Sequence, residues 1–377
     1  MGTMRPAGRI GALLLAAALL AGCTTAASRS PARHTAASTG PVPRQAPWSR
    51  PAATRPPRGL LAFDCPRPAG AAIVFCTAHP GGAIRRVAAP ALGPRAGGAC
   101  CPRWSPDGQR LLVRLTQSVG TLQRDDIGMV NADGSGLVNL SNRPDDGNWG
   151  ATWSPDGTRI VFNSAREPAP GSSGSTHLWV MNADGSGLRQ ITKIWGEYPA
   201  WSPDGTLIAF QSNRCACNGV GGQAEYDIYT VRPDGTGLRR LTTWPGEEGV
   251  GGWSPDGTML AYGRNPDVWP GIWIMTRDGT QVTRLQPAAP QGVQLRGVEG
   301  WAPDGSFIVY GIRGDDPQTA IGSDYWVSPD GRSVTLLQAD ASGAEWRPAG
   351  AGKLVTGCSW RTTGSGGQRP TWSWPGA

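Results

Sequence analysis

The sequence predicts an all-β fold: a six-bladed β-propeller of four-stranded antiparallel blades, closed by pairing the N- and C-terminal strands. Three observations predict it. A Trp-Ser-Pro-Asp-Gly segment begins at Trp104, Trp153, Trp201 and Trp253, returns with Ala302 in place of Ser at Trp301, and decays to Trp346-Arg347-Pro348-Ala349-Gly350. The tryptophans are spaced 49, 48, 52, 48 and 45 residues apart, which is the length of one blade. Gly (55) and Pro (34) make up 89 of the 377 residues, a composition of many turns and few long helices.

Each blade reads in four steps. The recurring Trp ends the innermost strand and is large enough to fill the wedge between adjacent sheets. The Pro-Asp-Gly turn follows for a local reason: Pro presets φ, Asp bonds the backbone ahead and Gly accepts a positive φ. Asp107, Asp156, Asp204, Asp256 and Asp304 therefore read as structural turn residues. A second strand comes next, such as Ile160-Val161-Phe162, then a third, such as Leu178-Trp179-Val180-Met181. The turn Asn182-Ala183-Asp184-Gly185-Ser186-Gly187 leads to the fourth, Leu188 to Thr192.

Counting strands sets the closure. The inner strand occurs six times, and the third and fourth strands begin with Ile73–Cys76 and Ile84–Val87. The strand near Trp346 then completes the blade that Leu60 begins, which removes an open sheet edge. A leftover strand candidate, Lys353 to Ser359, leaves a seven-bladed closure open.

These repeats resemble the TolB-type, WD40-like family called PD40, whose units carry the same Trp-Ser-Pro-Asp-Gly and Asn-Ala-Asp-Gly-Ser-Gly segments. The resemblance covers about residues 59–360 and implies the propeller. It lacks the separate α/β domain that precedes the blades in TolB, so it does not imply a Tol–Pal role.

Ahead of the blades, residues 1–23 read as an export signal. Arg5 and Arg9 precede an apolar run, Ile10 to Ala21, of signal-peptide length and too short to span a bilayer. The run ends in Leu20-Ala21-Gly22-Cys23, which resembles the lipobox of bacterial lipoproteins and implies lipid attachment at Cys23. That predicts an exported chain held on the outer face of the cytoplasmic membrane or in the cell envelope. Residues 24–58, rich in Ala, Pro, Ser, Thr and Arg, read as a disordered tether, and residues 361–377 as a loose tail. The net charge of +7 belongs to this N-terminal region: residues 1–58 hold eight arginines and no acid, leaving 27 basic against 28 acidic side chains. A near-neutral propeller argues against a nucleic-acid partner.

Both kinds of Asp-Gly turn fall on one face of the disc. The longer loops and inter-blade connections fall on the other, where binding residues usually lie. That face collects Trp149, Trp195, Glu197, Tyr198, Trp244, Glu247, Glu248, Trp269, Glu299 and Glu345. Aromatic faces beside carboxylates suit a sugar, a cationic ligand or a basic peptide. Catalysis has little support: there are three histidines and no Gly-x-Ser-x-Gly elbow, and no cofactor or metal site is expected. Cys65 and Cys358 share one repeat position and could clasp the closing blade, with Cys65–Cys76 across a hairpin as the rival. Adjacent Cys100-Cys101 is too close in sequence for a relaxed bridge. The expected function is a surface-anchored lipoprotein whose propeller is a non-enzymatic scaffold for an envelope protein or peptide. A small-molecule or glycan sensor is the alternative, and a carboxylate-dependent hydrolase or lyase the third.

Overall fold

A computed structural model describes residues 60–64, 73–78, 85–89, 96–119, 122–141, 147–166, 176–213, 226–244, 246–265, 271–285, 293–314, 323–331, 334–338 and 342–346. The signal, tether and tail expected above lie outside these residues, as do Cys65, Cys358, Trp269 and residues 353–359.

The described residues form 24 strands in six four-stranded antiparallel sheets. The sheet that joins the chain ends places β24 (Ser342–Trp346) beside β1 (Leu61–Asp64), followed by β2 (Ile73–Ala78) and β3 (Arg85–Ala89). The other five follow chain order. First come β4 (Ala96–Trp104), β5 (Arg110–Val119), β6 (Leu122–Asn131) and β7 (Val138–Asn139). Next are β8 (Asn148–Trp153), β9 (Arg159–Ser164), β10 (His177–Asn182) and β11 (Arg189–Gln190). The third sheet is β12 (Glu197–Trp201), β13 (Ile208–Ser212), β14 (Asp227–Val231) and β15 (Arg239–Arg240). The fourth is β16 (Glu247–Trp253), β17 (Met259–Asn265), β18 (Gly271–Thr276) and β19 (Val282–Leu285). The fifth is β20 (Val293–Trp301), β21 (Ile308–Gly314), β22 (Ser323–Val327) and β23 (Val334–Gln338).

Strands β4, β8, β12, β16, β20 and β24 touch one another in that order, and β24 touches β4. These six line the centre, and the ring closes where Leu61 pairs with Trp346 and Ala62 with Glu345. The described strands thus make six blades, joined at the ends as the repeat count requires.

The core lies between blades, because each sheet has a neighbour on both faces. Middle strands accordingly read as unbroken apolar runs: Ile160, Val161 and Phe162 on β9 are all fully buried. One apolar cluster takes Leu112 and Ile127 from one blade and Trp153, Ile160 and Phe162 from the next. The recurring indoles fasten these layers. Trp153 Nε1 donates to Arg103 O (3.3 Å), Trp253 Nε1 to Ala200 O (3.1 Å) and Trp301 Nε1 to Gly252 O (3.1 Å). Arg110 stacks on Trp153 at 5.2 Å and Arg159 on Trp201 at 5.1 Å, so a cation from one blade covers the indole of the next.

The turns repeat atom for atom. Ser105, Ser154, Ser202 and Ser254 each donate Oγ–H to the Asp two residues on, at 2.5–2.6 Å. That Asp also accepts the N–H of the residue after the turn glycine, as Thr158 to Asp156 at 3.0 Å. Where Ala302 replaces Ser, that hydroxyl donor is gone, and Asp304 keeps the backbone bond from Ser306 N, at 2.9 Å. The second kind of turn lies against the first: Ala183 N donates to Thr158 O and Arg277 N to Thr258 O, both at 2.9 Å. One face of the disc is therefore all tight turns, and the other carries the loops and connections.

The mouth of the loop face

Three consecutive inner strands bulge at the same place. Pairing slips between Cys100 and Arg103 on β4, between Trp149 and Thr152 on β8, and between Glu197 and Ala200 on β12. Three residues before each tryptophan the chain turns left-handed, at Cys101 (φ +62°), Gly150 (+65°) and Tyr198 (+50°). On β16 and β20 the bulge instead sits one residue before the tryptophan, at Gly252 (+139°) and Gly300 (+152°). A Cβ on Gly150 would lie 2.2 Å from Asn163 Oδ1, which accounts for the glycine there. Cys101 and Tyr198 are the only non-glycine residues with positive φ among the described residues. Each carries a conformational cost of about 1–2 kcal/mol.

Around Tyr198 the groups gather from two blades. Tyr198 is 51% exposed, and its phenol lies within electrostatic reach of Glu197, Arg114, Cys101 and Tyr226. Glu197 is half-buried, and loss of solvent raises its carboxyl to about 7 against the pull of Arg114. Arg114, on β5, is itself tied to Asp125 on β6. Trp195 packs its ring 5.3 Å from that of Tyr226, and its carbonyl accepts Ser212 Oγ–H at 2.5 Å.

Tyr226 then joins this blade to the next. Its N–H donates to Gly246 O at 3.2 Å, its carbonyl accepts from Glu248 N at 2.9 Å, and it forms a bridge with Glu247. Glu247 is exposed, whereas Glu248 is buried. Glu248 Oε1 lies 3.3 Å from Arg264 Nε, and its Oε2 accepts from Thr242 Oγ1 at 3.4 Å. Burial pushes the Glu248 carboxyl up to about 8, opposed by Arg264 and reinforced by the nearby charge of Asp227. Over Arg264, at 5.2 Å, lies the ring of Trp244, 52% exposed. The result is a group of aromatic rings near two carboxyl groups that burial raises to about 7 and about 8.

Of the sequence-predicted residues, Trp195, Glu197, Tyr198, Trp244 and Glu247 lie around this mouth, and Glu248 is buried beside Arg264. Trp149 is turned to its own blade: with the Asn163 amide oriented to satisfy both groups, Trp149 Nε1 donates to it at 2.5 Å and Trp149 O accepts from it at 2.9 Å. Glu299 is half-buried on β20. Glu345 lies on β24 opposite Ala62, and Trp269 is outside the described residues. Among the described residues, no three His, Cys, Asp or Glu side chains are grouped to hold a metal ion.

No family model matches the chain. In sequence it is similar to the Tol-Pal system protein TolB of Anaeromyxobacter dehalogenans, 36% identical over 91 residues, 24% of this chain and 18% of that protein. The crystal structure of TolB from Acinetobacter baumannii superposes with a TM-score of 0.57 at 20% identity, over 77% of this chain and 67% of that one. A putative TolB from Agrobacterium tumefaciens gives 0.52 at 21% identity, over 74% and 88%. The propeller is TolB-like. The sequence match spans under a fifth of the length of its curated relative, so what is shared is the repeat and the ring.

Within this TolB-like ring, sequence reasoning passed over Tyr226, Arg114 and the backbone state of Tyr198 and Cys101. One signal was available. Aligning the repeats on their tryptophans puts Cys101, Gly150 and Tyr198 in one column, where the glycine betrays a left-handed requirement that its neighbours meet at a cost.

Proposed function

We propose that this chain is an exported lipoprotein, anchored through Cys23, whose TolB-like propeller is a non-enzymatic binding module for an envelope protein or peptide. The partner is met at the mouth around Tyr198, Trp195, Tyr226 and Trp244. The observation that carries this reading is Tyr198: an exposed aromatic ring held in a left-handed conformation where the neighbouring blade uses glycine. Large, half-wet aromatics are the residues that dominate protein interfaces. Export is supported by Cys76, buried on β2 and disulfide-bonded, as suits an oxidising compartment. The similarity to a Tol-Pal system protein supports an envelope setting for the blades.

A second reading rests on the two raised carboxyl groups. Values of about 7 and 8 are those of groups able to trade a proton at neutral pH, which suits a carboxylate-dependent hydrolase or lyase, or a site for a glycan.

The test is proximity capture from native membranes with full-length protein, alongside Cys23→Ala and Glu197→Gln. A specific protein enriched by the wild type and lost without the anchor is the expected outcome. Cell-wall sugar recovered in its place favours the glycan site. Turnover on a glycan and peptide panel, abolished by Glu197→Gln in a folded protein, favours the enzyme.

A further inference from the structure

Cys100 and Cys101 sit side by side on the β4 bulge, with their Sγ atoms 2.6 Å apart. Cys101 is exposed and left-handed, and Cys100 is half-buried. The Arg114 guanidinium lies within electrostatic reach of both sulfurs, and Cys101 within reach of the Tyr198 phenol. We propose that Cys100 and Cys101 are a redox modification site, oxidised to a vicinal disulfide by exchange with a small external disulfide. This stands apart from the binding reading: it concerns the chemistry of the pair and holds whether or not the mouth has a partner.

The sulfurs need only about half an ångström of further approach to reach bonding distance. In the first step the Cys101 sulfur attacks one sulfur of the external disulfide. The external S–S bond breaks, and the departing thiol takes up the proton lost by Cys101. In the second step the Cys100 sulfur attacks Cys101 Sγ and expels the other thiol, which takes the Cys100 proton. Two cysteines are oxidised and one external disulfide is reduced to two thiols. The Arg114 cation favours the thiolate form that attacks. Adjacent Cα atoms stand closer than a relaxed disulfide allows, so the ring formed is strained and easily reduced again. Oxidation fixes the β4 bulge and removes a thiol from beside Tyr198.

Trypsin releases the peptide Ala96–Arg103, whose only cysteines are this pair. Full-length protein is reduced, treated with oxidised glutathione, trapped with iodoacetamide and digested. The expected peptide is unlinked, lighter by two hydrogens and unalkylated, and becomes doubly alkylated after dithiothreitol. In Cys100→Ser the second step is lost, and glutathione should remain on Cys101. A wild-type peptide that is doubly alkylated throughout, or is recovered joined to another cysteine peptide, overturns the proposal.

Discussion

On the turn face, Asp156 accepts hydrogen bonds from Ser154 and Thr158, and its carboxyl is held down at about 2. Asp278 is held at about 2 by Thr276 and Thr280. At the mouth, burial lifts Glu197 to about 7 and Glu248 to about 8. The same functional group thus meets a ready-made set of donors on one face and a shortage of solvent on the other. The backbone divides the same way. Turn-face positions of positive φ are filled by glycine, from Gly108 to Gly331, whereas two such positions near the mouth are Cys101 and Tyr198. The turn face is built to hold the ring together. The mouth retains charge and strain that the ring does not need, and the proposed contact surface rests on that difference.

The largest effect expected from breaking this pattern lies at the turn-face end of the inner strands. Trp253→Ala removes an indole that packs against the preceding blade and donates to Ala200 O. It should cost about 3–5 kcal/mol in denaturant unfolding.

Next come the carboxyl groups, which should respond to pH in opposite senses. Glu197 has a folded value above its ordinary 4.5, so the native state holds the extra proton. Stability from that group is full below 4.5 and is lost as pH rises through about 7. Glu197→Gln should therefore stabilise the protein by up to ~3 kcal/mol at alkaline pH and by nothing near pH 4. Asp156 runs the other way. Its folded value lies below 3.8, so its contribution is present above 3.8 and is lost as pH falls through about 2. Asp156→Ala should cost about 1 kcal/mol at neutral pH, for the hydrogen bonds removed, and nothing in strong acid. Thermal unfolding across pH measures both slopes, and slopes of one sign would collapse the contrast.

The smallest effect separates strain from function. Tyr198→Gly relieves a left-handed tyrosine but adds chain entropy to the unfolded state, for a net gain of about 0.5–1 kcal/mol. A loss of stability would mean that the tyrosine holds the blade instead of serving the surface.

Much of this architecture was legible in the sequence because it is repeated. The tryptophan spacing, the Pro-Asp-Gly turns and the strand count each recur, and the pairing of Leu61 with Trp346 follows from the count. Six of the residues near the mouth were legible as members of one face, since strand direction alone sorts turns from connections. Their grouping was not. Tyr226 reaches the site through contacts with Gly246 and Glu248 of the next blade, and Arg114 reaches it from β5. Both depend on how separate blades sit around the ring, which no single repeat encodes. Trp149 shows the reverse: its place in an inter-blade connection put it on the loop face, while Asn163 holds its indole within the blade.

The central claim is that the mouth carries contact and the turn face carries stability. The most direct measurement is a side-by-side comparison of Tyr198→Gly and Asp156→Ala in the full-length protein, scoring partner capture against the unfolding midpoint. The account predicts that Tyr198→Gly loses capture by at least ~tenfold while its midpoint holds or rises, and that Asp156→Ala lowers the midpoint with capture intact. Capture that simply follows the midpoint in both variants would contradict it.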